Sequence, residues 1–254
     1  ILRLIKDMQR RLGTGVLFIT HDFGVVADIA DRVIVMQEGL IVESGTSTQV
    51  LNKPKHKYTK SLIAAIPRLK PRKTRKRSKE VVVETSALNK SFGGGRSFLG
   101  FGKRARTVDA VMDVNIELRK GETLGVVGES GSGKSTLARC IIRLIDSDTG
   151  MVKLNGVDIT TLKRNEMRQH RKFIQMVFQD PFASLNPRSK VGDIISQGPM
   201  LQGIEKTMAH QRARELLDVV GLDSKAFDRF PHEFSGGQRQ RIGIARALAL
   251  DPDI

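Results

Sequence analysis

Residues 128–136 read Gly-Glu-Ser-Gly-Ser-Gly-Lys-Ser-Thr, and their types and spacing suit the chemistry of holding a polyphosphate. Gly128, Gly133, Lys134 and Ser135 satisfy the pattern G-x-x-x-x-G-K-[ST], here between an apolar run and a helix. Gly131 and Gly133 let the backbone curl until its N–H groups cradle phosphate oxygens, and the following helix N-terminus adds its dipole. Lys134 is placed to reach the β- and γ-phosphates, and the Ser135 hydroxyl to ligate Mg²⁺. The whole run, Gly128, Glu129, Ser130, Gly131, Ser132, Gly133, Lys134, Ser135 and Thr136, is the first candidate binding segment. Alone it specifies a nucleoside triphosphate site and no particular activity.

A second anion nest lies about a hundred residues on, at Ser235-Gly236-Gly237-Gln238. Ser235 has the chemistry to cap a helix running to Leu250, while the two glycines leave its first N–H groups open to a phosphate. Two anion sites, one with a lysine and one without, suit a nucleotide held between two domains. Gln179 follows the apolar run Phe173–Phe178, and His21 follows Val16–Thr20. Singly, each is an ordinary polar residue after a strand.

The elements that must position these groups alternate between the helical and strand periods. Ile1, Leu4, Ile5, Met8 and Leu12 recur at helical spacing, and Gly13 stops that helix. Val16–Thr20 and Val33–Met36 read as buried strands, with a helical turn or two over Val25–Ala30 between them. Gln37-Glu38-Gly39 then turns the chain into Leu40–Glu43. Further on, Val81–Val83 opens a new β segment, Ala110–Leu118 alternates, and Thr123–Val127 is continuously apolar like a strand covered on both faces. Helices are expected around Ala213–Val220 and Gln238–Leu250. Strands alternating with helices imply an α/β domain with a largely parallel sheet.

The formal charge is +16, and half of that excess sits in Arg68–Lys79, which holds eight basic residues and no acid. Such a run repels itself and reads as a solvated linker rather than a dedicated nucleic-acid patch. No stretch reaches the ~18 apolar residues of a membrane span, and no signal peptide is recognisable. The single cysteine, Cys140, excludes an internal disulfide and reads as core packing.

Phe234-Ser235-Gly236-Gly237-Gln238-Arg239-Gln240-Arg241 resembles the signature motif of ABC ATPases, with Phe234 where that family more often has Leu. The resemblance implies the fold: an α/β P-loop NTPase with an ABC-type core sheet and a helical subdomain, here about 180–245. It implies ATP and Mg²⁺ as cofactors. Gln179 is similar to the Q-loop glutamine that contacts Mg²⁺, His21 to the switch histidine at the γ-phosphate, and Phe92 to the aromatic that stacks on adenine. Phe178-Gln179-Asp180-Pro181-Phe182-Ala183-Ser184-Leu185-Asn186-Pro187-Arg188 and Pro231-His232-Glu233 resemble the ATP-binding subunits of dipeptide, oligopeptide, glutathione and nickel importers. His56-Lys57-Tyr58-Thr59 is similar to their C-terminal His-Pro-Tyr-Thr element, with Lys57 replacing Pro. No cysteine-bearing tail follows it, so no iron–sulfur site is implied.

The motif order is that of two domains, because the switch histidine closes such a domain and here precedes the phosphate loop. The expectation is therefore a tandem polypeptide: residues 1–66 end a first ABC ATPase domain, 67–80 form the basic linker, and 81–254 begin a second. The acidic strand with the Mg²⁺-associated Asp and the catalytic Glu (Walker B) is missing from both parts, so the core is expected to be incomplete and this piece to bind ATP without hydrolysing it. The implied partners are transmembrane permease subunits, a substrate-binding protein and the second ATPase domain of the same polypeptide, at the cytoplasmic face of the inner membrane. Nucleic acid is not an expected partner. The alternative is a soluble ABC-type ATPase acting on ribosomes or nucleic acid.

Overall fold

The computed structural model describes residues 2–66, 77–93, 107–180 and 184–254. Most of the expected linker, residues 94–106, and Pro181 to Ala183 lie outside the described residues. The chain divides into two compact units, Ile1–Thr74 and Arg75–Ile254.

The first unit runs α1 (Leu2–Leu12), α2 (Phe23–Ile29), β1 (Arg32–Gln37), β2 (Leu40–Thr46), α3 (Ser47–Asn52) and α4 (Lys57–Ala64). β1 and β2 form an antiparallel hairpin in which Gln37 pairs with Leu40. The two residues between them, Glu38 (φ 51°) and Gly39 (φ 80°), both take the left-handed backbone that a two-residue hairpin turn of this twist needs. Alternation along β1 turns Val33 and Val35 inward and leaves Ile34 and Met36 exposed. Val50 completes a small core, against which Val26, Val42, Tyr58 and Leu62 pack.

The second unit is larger. β3 (Val81–Phe92), β4 (Val108–Arg119), β5 (Thr149–Leu154) and β6 (Val157–Asp158) form one sheet in the order β4-β3-β5-β6, antiparallel throughout. α5 (Lys134–Ile141) and α6 (Arg164–His170) accompany it. Their shared core includes Leu88, Val152, Leu154, Ile159, Leu137 and Cys140, so the cysteine is buried as its apolar neighbours require. A helical layer follows: α7 (Val191–Leu201), α8 (Lys206–Val219), two 3₁₀ turns (Ser224–Asp228, Pro231–Glu233) and α9 (Gly236–Leu248). It has its own core of Val191, Ile195, Leu216, Leu217, Phe227, Phe234 and Ile242. Gly192 lets α7 approach the Phe227 ring, since a Cβ would stand 2.4 Å from it and force the ring to shift.

Three expected strands are corrected by the structure. Val16–Thr20, Leu124–Val127 and Phe173–Phe178 form no strand, and the two sheets of the described residues are antiparallel rather than largely parallel. The physical reason is pairing: an apolar run becomes a strand only when a neighbour takes its N–H and C=O groups. Leu17, Ile19 and Val127 are accordingly 87–93% exposed. One trace of the parallel arrangement exists. Ile254 donates its N–H to Phe173 O (3.1 Å) and Gln175 donates to Ile254 O (2.9 Å), the alternation of a single parallel bridge between Ile174 and Ile254.

Candidate functional site

The phosphate loop is built by the close approach of backbone to backbone. Gly133, at φ 89° and ψ −2°, immediately precedes α5, and a Cβ there would lie 2.0 Å from the Ala110 carbonyl oxygen of β4. Only glycine permits both the left-handed backbone and that contact. Gly131, at φ 85°, has no atom within 4 Å of where its Cβ would be, so it leaves the mouth of the loop open. No side chain caps α5, and its first N–H groups remain available to an anion.

Lys134 is folded back over this loop. Its Nζ donates to Gly128 O (2.8 Å), Glu129 O (2.6 Å) and the Ser132 hydroxyl (3.0 Å), which uses all three ammonium protons on loop oxygens. Each of these acceptors is weaker than a phosphate oxygen, so the ammonium can exchange them for a polyphosphate. Ser135 is exposed on the first turn of α5, and Thr136 is half-buried beside it. An open glycine cradle, a lysine bonded only to replaceable oxygens and a free hydroxyl one residue on fit a Mg²⁺-triphosphate.

Ser235 caps α9 as expected. Its hydroxyl accepts from Gln238 N (3.3 Å), and the Gln238 side-chain oxygen accepts from Ser235 N (2.9 Å), a reciprocal capping box. Gly236 and Gly237 have nothing within 4 Å of a would-be Cβ, so the first turn of α9 is open. The approach to Ser235 is fixed by a latch the sequence did not announce. Arg229 lies over the Phe234 ring (4.4 Å) and donates to Glu233 O (2.8 Å), while the Glu233 carboxylate accepts from Phe230 N (2.6 Å). That backbone bond, with Arg229 close by, holds the Glu233 pKa below its usual 4.5. The buried Phe234 ring packs into the core of the helical layer.

Gln179 is exposed at the end of the segment that carries the parallel bridge, and Phe92 ends β3, half-exposed with the Lys90 ammonium 5.6 Å from its ring centre. Lys90 is tied to Asp148 (2.7 Å), whose other oxygen accepts from Ser91 N (2.7 Å); the Lys90 and Ser91 bonds lower the Asp148 pKa. The phosphate loop, Gln179, Phe92 and the Ser235 nest therefore all belong to the second unit. His21 belongs to the first, where it is exposed at the bend before Asp22, the residue whose carboxylate caps α2. Near His56, the Glu43 carboxylate accepts from Lys55 N (2.7 Å) and His56 N (3.0 Å), and His56 Nδ1 accepts from Tyr58 N (3.2 Å) to cap α4. The His-Lys-Tyr-Thr element is thus a structural joint that anchors Tyr58 in the core.

Residues 111–254 match the family model described as ABC transporter, and residues 42–99 match that of the oligopeptide/dipeptide transporter C-terminal region. The chain belongs to the ABC transporter ATP-binding family. Among curated relatives, the glutathione import ATP-binding protein of Salmonella typhimurium is 44% identical over 279 aligned residues, covering all of this chain and 45% of its own length. Its Escherichia coli counterpart is 43% identical over 278 residues, again covering 45% of its length. The chain thus spans about half the length of these relatives. A solved ATP-binding cassette, a dimer in a post-hydrolysis state with ADP and phosphate bound, is 28% identical with a TM-score of 0.59 over 67% of this chain and 70% of that one. The α/β fold read from the sequence is therefore that of the ABC-type P-loop ATPases, although the described sheets are antiparallel.

One buried contact of the second unit has no signal in sequence spacing. Arg171, inside the basic run His170-Arg171-Lys172, is half-buried and donates to Ile142 O (2.6 Å) and Arg143 O (2.9 Å) at the far end of α5. Charge patterning alone reads it as one more surface cation.

Proposed function

We propose that this chain is part of the ATP-binding and ATP-hydrolysing subunit that powers an ABC importer of the dipeptide, oligopeptide or glutathione class, with nickel as a further candidate cargo. The observation that carries this reading is one of combination: the ABC match at 111–254 stands beside the oligopeptide-type C-terminal region at 42–99. Because the C-terminal type of region precedes the ATP-binding one, residues 1–66 are read as the end of a first ABC domain. Residues 67–80 then link it to a second that begins at 81.

In this reading the N–H groups of Gly128–Thr136 and the ammonium of Lys134 hold the triphosphate, Phe92 supports the adenine, and Ser235, Gly236, Gly237 and Gln238 offer their nest to the γ-phosphate of a nucleotide bound by an opposing domain. Ser135 and Gln179 would hold Mg²⁺, which supplies charge neutralisation to the β- and γ-oxygens. Lys134 moves from the loop carbonyls to phosphate oxygens and offsets the charge that develops there. His21 serves the first domain's own nucleotide as a polar contact to its γ-phosphate. Closure of two such domains around ATP would be passed through the Gln179 segment to transmembrane permease subunits, with a substrate-binding protein delivering cargo. The place of work is the cytoplasmic face of the membrane, held peripherally by those subunits; among the described residues no helix is long and apolar enough to cross a membrane.

The test is to purify the whole polypeptide from membranes under mild detergent and ask what travels with it. Retention of two permease-type membrane proteins, and ATP turnover that rises when a cargo-loaded binding protein is added, is the expected result. Salt-sensitive retention on nucleic acid with no membrane partner would instead favour a ribosome- or nucleic-acid-directed ATPase.

A further inference from the structure

We infer that Arg171 is a positioning residue that couples the phosphate loop to Gln179, acting through the far end of α5. The inference rests on the nucleotide site proposed above and deepens it. α5 has eight residues, so its two ends are about 12 Å apart. One end presents Lys134 and Ser135; the other presents the carbonyls of Ile142 and Arg143, which receive both terminal nitrogens of the Arg171 guanidinium. A planar fork on two successive carbonyls fixes direction as well as position, which a lysine ammonium cannot do.

The same arginine is joined to the Gln179 segment. The Gln175 side chain donates to Arg171 O (2.6 Å), and Gln175 N is the donor of the parallel bridge to Ile254. Gln179 lies four residues further along this segment, where it is exposed. The segment just after α5 is also tied down by Arg143, left-handed at φ 52°, which donates to Ile159 O (2.6 Å) and Leu162 O (2.7 Å) and pairs with Asp146 (3.0 Å). The Arg171 guanidinium thus meets the negative end of a short helix whose positive end carries the phosphate loop. Burial, then the neighbouring Arg143 charge, lower the Arg171 pKa, yet a guanidinium stays charged at any working pH. Arg171 touches neither nucleotide nor metal; its effect must pass through α5 on one side and Gln175 on the other.

The experiment is a double-mutant cycle in this 254-residue chain, read by titration with a fluorescent ATP analogue with and without Mg²⁺. Arg171→Met and Gln179→Ala should each weaken Mg²⁺-dependent binding, by about tenfold for the arginine. Their combination should cost little more than Arg171→Met alone, because a Gln179 that is no longer held in register has little left to lose. Arg171→Lys should keep the melting temperature yet recover only part of the affinity. Fully multiplicative losses, or unchanged affinity in a folded Arg171→Met chain, would overturn the coupling. If Arg171→Met does not fold, the Arg171→Lys cycle carries the same decision. Lys134→Ala separates the two claims: if it leaves binding intact, the nucleotide site itself is wrong; if it abolishes binding while the cycle is multiplicative, only the role of Arg171 fails.

Discussion

Replacing Gly133 with alanine challenges the way the phosphate loop is built. Two costs arise at this position. The left-handed backbone at φ 89° penalises any Cβ by ~1–2 kcal/mol. The added Cβ would also stand 2.0 Å from Ala110 O, and since such contacts are essentially never shorter than 3.0 Å, loop and strand must part by at least 1.0 Å (3.0 minus 2.0). Forcing that separation costs a further ~1–3 kcal/mol, the usual scale of overpacking. Gly131 isolates the first cost, because it has nearly the same φ of 85° with nothing within 4 Å. Gly131→Ala should therefore lower stability by ~1–2 kcal/mol and Gly133→Ala by ~2–5 kcal/mol. At ~2–4 °C per kcal/mol for a unit of this size, Gly133→Ala should melt several degrees below Gly131→Ala by circular dichroism. It should also weaken nucleotide binding, since the displaced turn carries Lys134. Two variants melting within a degree of each other would show that the contact with Ala110 does not hold the loop.

Other outcomes follow from the same geometry. Leu88→Ala, at a fully buried position between sheet and α5, should cost ~2–5 kcal/mol, whereas Leu17→Ala, at 87% exposure, should leave the melting curve of this chain unchanged. Ser235→Ala removes a capping-box hydroxyl and should cost ~1 kcal/mol by thermal melting, with Ser235→Gly milder; equal wild-type stability in both would deny the cap. Glu43 is held below its usual 4.5, chiefly by the Lys55 amide, so its folded-state pKa is depressed. Its stabilisation is then fully present above the unfolded value and lost as pH falls through the lowered folded one. Melting of the wild type should drop more steeply than that of Glu43→Gln below about pH 4.5, and parallel profiles would remove Glu43 from the His56 joint.

The sequence made the phosphate loop and the Ser235 nest legible because both are local: glycines at fixed offsets, a lysine and a capping serine act over a few residues, and the structure keeps them together. Helices around α8 and α9 were readable from period and caps to within a few residues at most ends. The central strands were not, because Val16–Thr20 and Leu124–Val127 carry the composition of buried strands while pairing depends on neighbours far away in the chain. Hydrophobicity specifies what a segment needs, and pairing decides whether it gets it. Arg171 and the Arg229–Glu233–Phe234 latch escaped for a related reason. Their roles come from carbonyls and rings brought close by folding, and a basic residue in a basic run carries no mark of that.

Lys134 offers the most direct test of the central claim, that Gly128–Thr136 is a working nucleotide site. Its ammonium supplies charge that backbone N–H groups cannot, and its hydrogen bonds all go to oxygens of the loop itself. Calorimetric titration of the chain with Mg²⁺-ATP should show one saturable site in the wild type. Lys134→Ala, folded by circular dichroism, should show no measurable heat of binding at the same concentrations. Saturation of that variant at wild-type affinity would contradict the assignment.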